Sequence, residues 1–305
     1  MPMEKTRPSG AGLFDRIDRN IGRVMIAPAI IVFLCVSLYP FLFNFWMATH
    51  NVSLLNIRAP EWAWTGTRNF LRILRDPSTQ GALIRTAIFA SATVTLQLTL
   101  GMLGALAFNR AFRGKAALMV LALVPMMVTP IVVGISWRMM LNYDWGLANY
   151  FLDLVGSGPL QWLSNPRMAL ISVILVQVWW GMSFAMLVIL GGLAAIPRSL
   201  YEAAEVDGAS DLRMFFHITL PMLRPVLLIV GTIKVIDALR EFDLIYSLTG
   251  GGPGDATRVF ALELYYTAYE RGNFGMSAAQ ALLLMLLVLI LTVPLIRLLT
   301  SKEPT

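Results

Sequence analysis

The sequence predicts an all-α integral membrane protein with six spans. Composition is the first observation. Of 305 residues, 57% are apolar and only 14% are charged, and mean hydropathy is +0.68. A soluble domain carries roughly 25% charge. The second observation is six apolar runs, each near or above the roughly 20 residues that cross a bilayer core. The length suits one membrane domain: an N-terminal segment 1–23, a six-span unit 24–299 and a tail 300–305. The formal charge of +6 is spread along the chain rather than gathered on one face. It reads as loops and lipid headgroups, not as a nucleic-acid surface. Cys35 is the single cysteine, which excludes an internal disulfide framework and a cysteine zinc site.

Residues 1–23 are polar. Phe14 and Ile17 among Arg16, Arg19 and Arg23 read either as an amphipathic helix at the headgroups or as a solvated tail. The first span, 24–47, is too long for a signal peptide. Its exit at Trp46-Met47-Ala48-Thr49 lacks a small-x-small site, so it reads as retained. A polar stretch follows, with a short helix expected over 67–75. The second span, 82–108, carries Thr86, Ser91, Thr93, Thr95, Gln97 and Thr99, residues that favour helix–helix packing over lipid contact. The third, 116–141, contains Pro125 and Pro130. A helical patch is expected at 147–155, then the fourth span, 168–193. The fifth, 222–245, contains Lys234, Asp237, Arg240, Glu241 and Asp243. A glycine-rich loop and a helix at 260–271 lead to the sixth span, 277–299.

Orientation follows the basic residues, counted most heavily in short loops. Arg110, Arg113 and Lys115 form a tight basic turn on the side of the termini, together with Arg198, Arg213, Arg224, Arg297 and Lys302. The bias is moderate, because Arg58, Arg68, Arg72 and Arg75 fall on the opposite side. The short loops put both termini in the cytoplasm.

The segment 196–225 then lies in the cytoplasm between the fourth and fifth spans. Ser199 and Glu202 have the spacing of a capping box. Gly208 suits a left-handed helix stop, Ser210 can cap a second helix over 211–219, and Pro221 marks the turn into the next span. Ala203 and Ala204 leave a small-residue face; Glu202, Glu205 and Asp207 offer charge. From the residues alone, this is equally a docking element or a capped loop with no partner.

The run Glu202-Ala203-Ala204, Asp207-Gly208-Ala209 and Ile218-Thr219-Leu220-Pro221 resembles the EAA loop of binding-protein-dependent ABC importer permeases. Gly191-Gly192-Leu193, Ile196-Pro197 and Leu248-Thr249-Gly250-Gly251-Gly252-Pro253-Gly254 resemble the carbohydrate importers of the maltose and glycerol-phosphate type. The resemblance is most specific over 179–280. It implies that Glu202, Ala203, Ala204, Asp207 and Gly208 form a coupling helix seated on an ATPase subunit. It also implies a second, homologous permease, an ATPase dimer, an extracytoplasmic solute-binding protein and a bacterial inner-membrane location. No nucleotide motif G-x-x-x-x-G-K-[ST] is present: at Gly114-Lys115 the next residue is Ala116, and Asn109 stands where the first glycine belongs. No cofactor is expected on this chain; ATP and magnesium belong to the partner, and the chain is not itself an enzyme. His50 and His217 lack metal-ligand companions and read as polar or interface residues.

Ionisable groups in a span face a cavity or one another. The i,i+3 and i,i+4 spacings of Lys234, Asp237, Arg240 and Glu241 put them on one broad helix face. They read as a salt-bridge ladder between helices or as the lining of a solute path. On the fourth span, Gln177, Trp179, Trp180, Gly181 and Ser183 offer aromatic faces and polar donors suited to sugar rings, or the tryptophans simply pack. The two indoles point about 100° apart, so one of them faces the path. The resemblance implies a sugar site on these two helices. The competing class is an ion-coupled secondary transporter using Asp237 or Glu241. The solute stays open among sugars, sugar alcohols, glycosides and glycerol phosphate. The glycine-rich loop is expected outside, meeting a binding protein or closing the outer mouth.

Overall fold

A computed structural model of the protein describes residues 25–300. The N-terminal segment with Arg16, Arg19 and Arg23 and the tail 301–305 lie outside the described residues. In chain order the helices are α1 (Met25–Ala48), α2 (Arg68–Arg75), α3 (Pro77–Asn109), α4 (Lys115–Met127), α5 (Pro130–Met140), α6 (Leu147–Leu154), α7 (Pro166–Ala194), α8 (Arg198–Val206), α9 (Asp211–Met214), α10 (Leu220–Leu239), α11 (Asp243–Leu248), α12 (Phe260–Tyr269) and α13 (Phe274–Thr300). The described residues contain no strand, only one isolated bridge between His50 and Trp64. The short helices expected at 67–75, 147–155 and 260–271 appear as α2, α6 and α12.

Two long helices start for the same local reason. Asp76 accepts the N–H of Thr79 at 3.0 Å ahead of Pro77, and Asn165 accepts from Arg167 and Met168 at 3.0 and 3.2 Å ahead of Pro166. A side-chain acceptor followed by proline is a strong local start signal for a helix. Both helices, α3 and α7, then pack along most of their length and form the spine of the bundle. Gly101 makes this possible: a Cβ there would come within 2.8 Å of Ala185 Cβ. Met102, Ala105, Ala185, Met186 and Ile189 fill the rest of the seam. Small residues let the backbones approach where lipid provides no hydrophobic drive.

Among the described residues, α1, α3, α7 and α13 are long and apolar enough to cross a bilayer, and the α4–α5 pair adds a fifth crossing if it is one span. The span expected over 116–141 is two helices, with α4 and α5 meeting at 101°. Pro130 has no N–H and pushes its neighbour out of the helical region. Thr129 accordingly has ψ 145° and Val128 ψ 137°. The carbonyl freed at Val128 accepts the indole N–H of Trp180 at 2.9 Å.

The fifth span is corrected as well. α10 ends at Leu239, residues 240–242 break the helix, and α11 begins at Asp243. The Glu241 carboxylate stabilises the break by accepting the N–H of Leu244 at 3.1 Å. α10 has the length of a span, about 30 Å, but it carries Arg224, Lys234 and Asp237.

The expected capping box does not form. α8 starts at Arg198 after Pro197, with no side-chain cap. The helix begins two residues earlier than the box requires, with Pro197 as its N-cap, so Ser199 falls inside the first turn. Glu202 pairs instead with Arg198 at 3.4 Å. The far end matches expectation. Gly208 has φ +74°; its N–H bonds Glu205 O at 3.0 Å and that of Ala209 bonds Ala204 O at 2.9 Å. This is the Schellman stop, which a Cβ would strain. Ser210 caps α9 through Arg213 N. Pro221 does not turn the chain: α9 runs into α10 through one wide π-turn, Phe215–Thr219. The wider turn leaves room for a proline ring that a regular helix would crowd.

Candidate functional site

A polar seam is buried where α3, α7 and the α10–α11 break meet. Gln97 Nε2 on α3 donates to the backbone carbonyl of Gln177 on α7 at 2.8 Å. Gln177 Nε2 donates to Glu241 Oε2 at 3.0 Å. Glu241 Oε1 takes the Leu244 N–H, so one carboxylate joins α7 to the start of α11. Gln97, Gln177 and Glu241 are 3%, 2% and 8% exposed. Polar groups this deep are costly unless paired. Gln177 Oε1 has no partner among the described residues. Gly181 completes the seam: a side chain there would overlap the amide of Gln97.

Around the seam lies a cationic and aromatic wall. Lys234 is 5% exposed and pairs with Asp237 at 3.8 Å. Its ammonium sits 4.9 Å from the Phe184 ring and 5.8 Å from that of Trp180, within the range of cation–π attraction. Trp179 points elsewhere, its ring edge-on to Trp137 at 5.4 Å. The two indoles therefore diverge as helical geometry requires.

Of the residues singled out on these helices, Gln177, Trp180, Gly181 and Glu241 come together. Asp237 adjoins them through Lys234. The expected ladder stops at that one rung. Arg240 is exposed at the end of α10, with no acid at ion-pair distance among the described residues, and Glu241 turns inward to Gln177 rather than toward Asp237. The helix ends at Leu239, so the i,i+4 register no longer applies. Gln97, read from the sequence only as a helix-packing residue, completes the site together with Phe184 and Trp137. The one amide among the hydroxyl residues of its span was the available signal for Gln97; nothing local marks Trp137.

The glycine-rich loop after α11 is held by side chains as well as backbone turns. The hydroxyl of Tyr266 donates to Gly250 O at 2.7 Å, and burial keeps that phenol above its ordinary pKa. Arg258 lies 4.4 Å from the Tyr266 ring and bridges Asp255 and Glu263. Arg271 holds the fully buried Glu263 at 2.7 Å. Arg85 on α3 donates to Arg258 O at 2.8 Å.

At the opposite end, α8 buries no residue. Glu202, Ala203, Asp207 and Gly208 are exposed and Ala204 is half-buried. Val206 is 88% exposed. Tyr201 Oη bonds Thr219 Oγ1 at 2.8 Å, Arg110 lies 4.0 Å from Asp211, and Ile196 and Phe215 pack against the core on either side of α8. His50 and His217 both contact backbone carbonyls, of Trp46 at 2.7 Å and of Arg213 at 3.0 Å.

Apolar helices long enough to cross a bilayer, packed around a buried polar seam, define a polytopic membrane protein. The profile described as "Binding-protein-dependent transport system inner membrane component" matches residues 97–302, and the chain belongs to this family. The trehalose/maltose transport system permease protein MalF of Thermococcus litoralis is 38% identical over 277 residues, covering 90% of this chain and 92% of that protein. The sn-glycerol-3-phosphate permease protein UgpA of Agrobacterium fabrum is 33% identical over 278 residues, covering 88% and 91%. Among solved structures, a bacterial ABC transporter involved in the import of the acidic polysaccharide alginate superposes with a TM-score of 0.81 at 20% identity, covering 96% of this chain and 99% of that chain. That likeness concerns the fold.

Proposed function

We propose that the chain is the solute-translocating permease subunit of an ATP-driven importer, with a sugar or sugar-like solute delivered by an external binding protein. The observation that carries this is family membership joined to the buried Gln97–Gln177–Glu241 seam beside Trp180 and Lys234. Aromatic faces with amide and carboxylate partners suit a ring with apolar faces and hydroxyl edges. The naming of relatives for trehalose, maltose and glycerol phosphate supports that solute class.

In this reading α10 and the α4–α5 pair complete six spans, both termini are cytoplasmic, and the domain runs over 24–299. α8 is the coupling helix, presenting Glu202, Ala203, Ala204, Asp207 and Gly208 to an ATPase subunit. A second permease faces the path. Gln177, Trp180, Gly181, Asp237 and Glu241 line it, with Trp179 and Arg240 at its margin. ATP and magnesium stay on the partner.

Proteoliposomes holding the assembled importer test the function. Uptake is expected to require ATP with the ATPase subunit and to persist with a protonophore. Uptake by this chain alone that collapses with a protonophore would instead establish a secondary transporter using Asp237 or Glu241.

A further inference from the structure

The loop between α1 and α3 breaks the positive-inside bias, and its arginines have no part in the function above. Three of them form a stripe on α2. At about 100° per residue, Arg68, Arg72 and Arg75 fall within about 60° of one another. All three are exposed, and among the described residues no ion pair joins any of them. The neighbouring Asp76 is engaged by the N–H and hydroxyl of Thr79 at 3.0 and 2.9 Å. Helix-dipole compensation accounts for Arg72 and Arg75 in the last turn, but not for Arg68, which stands at the unfavourable N-terminal end.

The helix is locked in rotation. Asn69 Nδ2 donates to the carbonyls of Ala48 and His50 at 2.8 and 3.0 Å, and Ile73 is buried against Met276, Ala278 and Ala279. Beside the arginine stripe, Leu71 and Leu74 are each 53% exposed. The depth of α2 follows from the same packing. Gln280 of α13 bonds Thr79 of α3 at 3.1 Å, so α2 lies level with the start of α3. Ile84, 61% exposed, is the first large apolar side chain that α3 presents outward, about 7.5 Å further along the helix. That offset is the thickness of a headgroup layer over the hydrocarbon.

We propose that α2 is an interfacial helix that binds anionic phospholipid. Arg68, Arg72 and Arg75 hold headgroup phosphates, and Leu71 and Leu74 enter the acyl boundary. Guanidinium forks match phosphate oxygens, and an apolar edge beside a basic stripe is the pattern of a helix lying in the interface. An acidic protein surface would match the arginines but leave both leucines in water.

Full-length protein in nanodiscs tests this, with phosphatidylglycerol in phosphatidylcholine as the probe. Native mass spectrometry of the released protein counts retained phosphatidylglycerol. Affinity is expected to fall roughly fivefold per arginine removed in Arg68→Gln, Arg72→Gln and Arg75→Gln combined; unchanged retention overturns the proposal. A spin label at Leu74→Cys, in a Cys35→Ser background, is expected to be relaxed by oxygen and shielded from a water-soluble nickel chelate. Full access to the chelate overturns it. So does a triple variant that keeps its phosphatidylglycerol but needs more binding protein for uptake in phosphatidylcholine-only vesicles, which would assign the stripe to a protein partner.

Discussion

Gly208→Val is expected to leave the chain inserted and to abolish most uptake, while Gly208→Asn retains most of it. Gly208 sits at φ +74° with open space around its Cα, so the penalty is conformational rather than steric. A left-handed residue with a side chain costs about 1–2 kcal/mol, and asparagine tolerates the region better than most. The strain falls on the Schellman stop that fixes where α8 ends. Shifting that end changes what α8 presents to the proposed ATPase cleft. Because 1.4 kcal/mol of docking energy is tenfold in affinity, uptake in proteoliposomes is expected to fall about tenfold or more, with ATP hydrolysis continuing uncoupled. Equal uptake by both variants would remove the assigned role of the stop.

The second large effect concerns the seam. Gln177→Leu removes the donor to Glu241 Oε2 and leaves a buried carboxylate with its Leu244 partner alone. Such a loss costs about 3 kcal/mol, read as a lower melting temperature in detergent and reduced folded yield. Glu241→Leu alone strands the Gln177 amide and frees the N–H of Leu244. The double variant is expected to lose less than the sum of the two single variants, with a coupling energy of about 0.5–3 kcal/mol. Strict additivity would show that the two groups act independently.

The chain's readability varied with how local each cause was. Apolar runs placed α1, α3, α7 and α13, because a span is a property of consecutive residues. The stop at Gly208 was also readable, since a left-handed glycine needs only its neighbours. Pro125 and Pro130 were visible, but the partner of the 101° turn between α4 and α5 was not: Trp180, 52 residues on, donates its indole N–H to the freed Val128 carbonyl. The capping box failed because α8 starts two residues early, with Pro197 rather than Ser199 as its N-cap. The break after Leu239 was hidden for a similar reason: Glu241 looked like one more charge on a helical face. Only α7, supplying Gln177, makes an inward turn at that point favourable. Gln97 belongs to the site through Gly181, 84 positions away, a pairing that no spacing rule contains.

In the proposed function, force from the ATPase reaches this permease through α8. A single cysteine at Ala203, in a Cys35→Ser background, tests it by cross-linking in membranes that also contain the ATPase subunit. Ala203 is exposed, and α8 buries none of its residues. A cross-link to the ATPase that stops uptake is the predicted result. No adduct at Ala203, alongside a strong one from Arg113→Cys in the α3–α4 turn, would contradict the account and move the docking point to that turn.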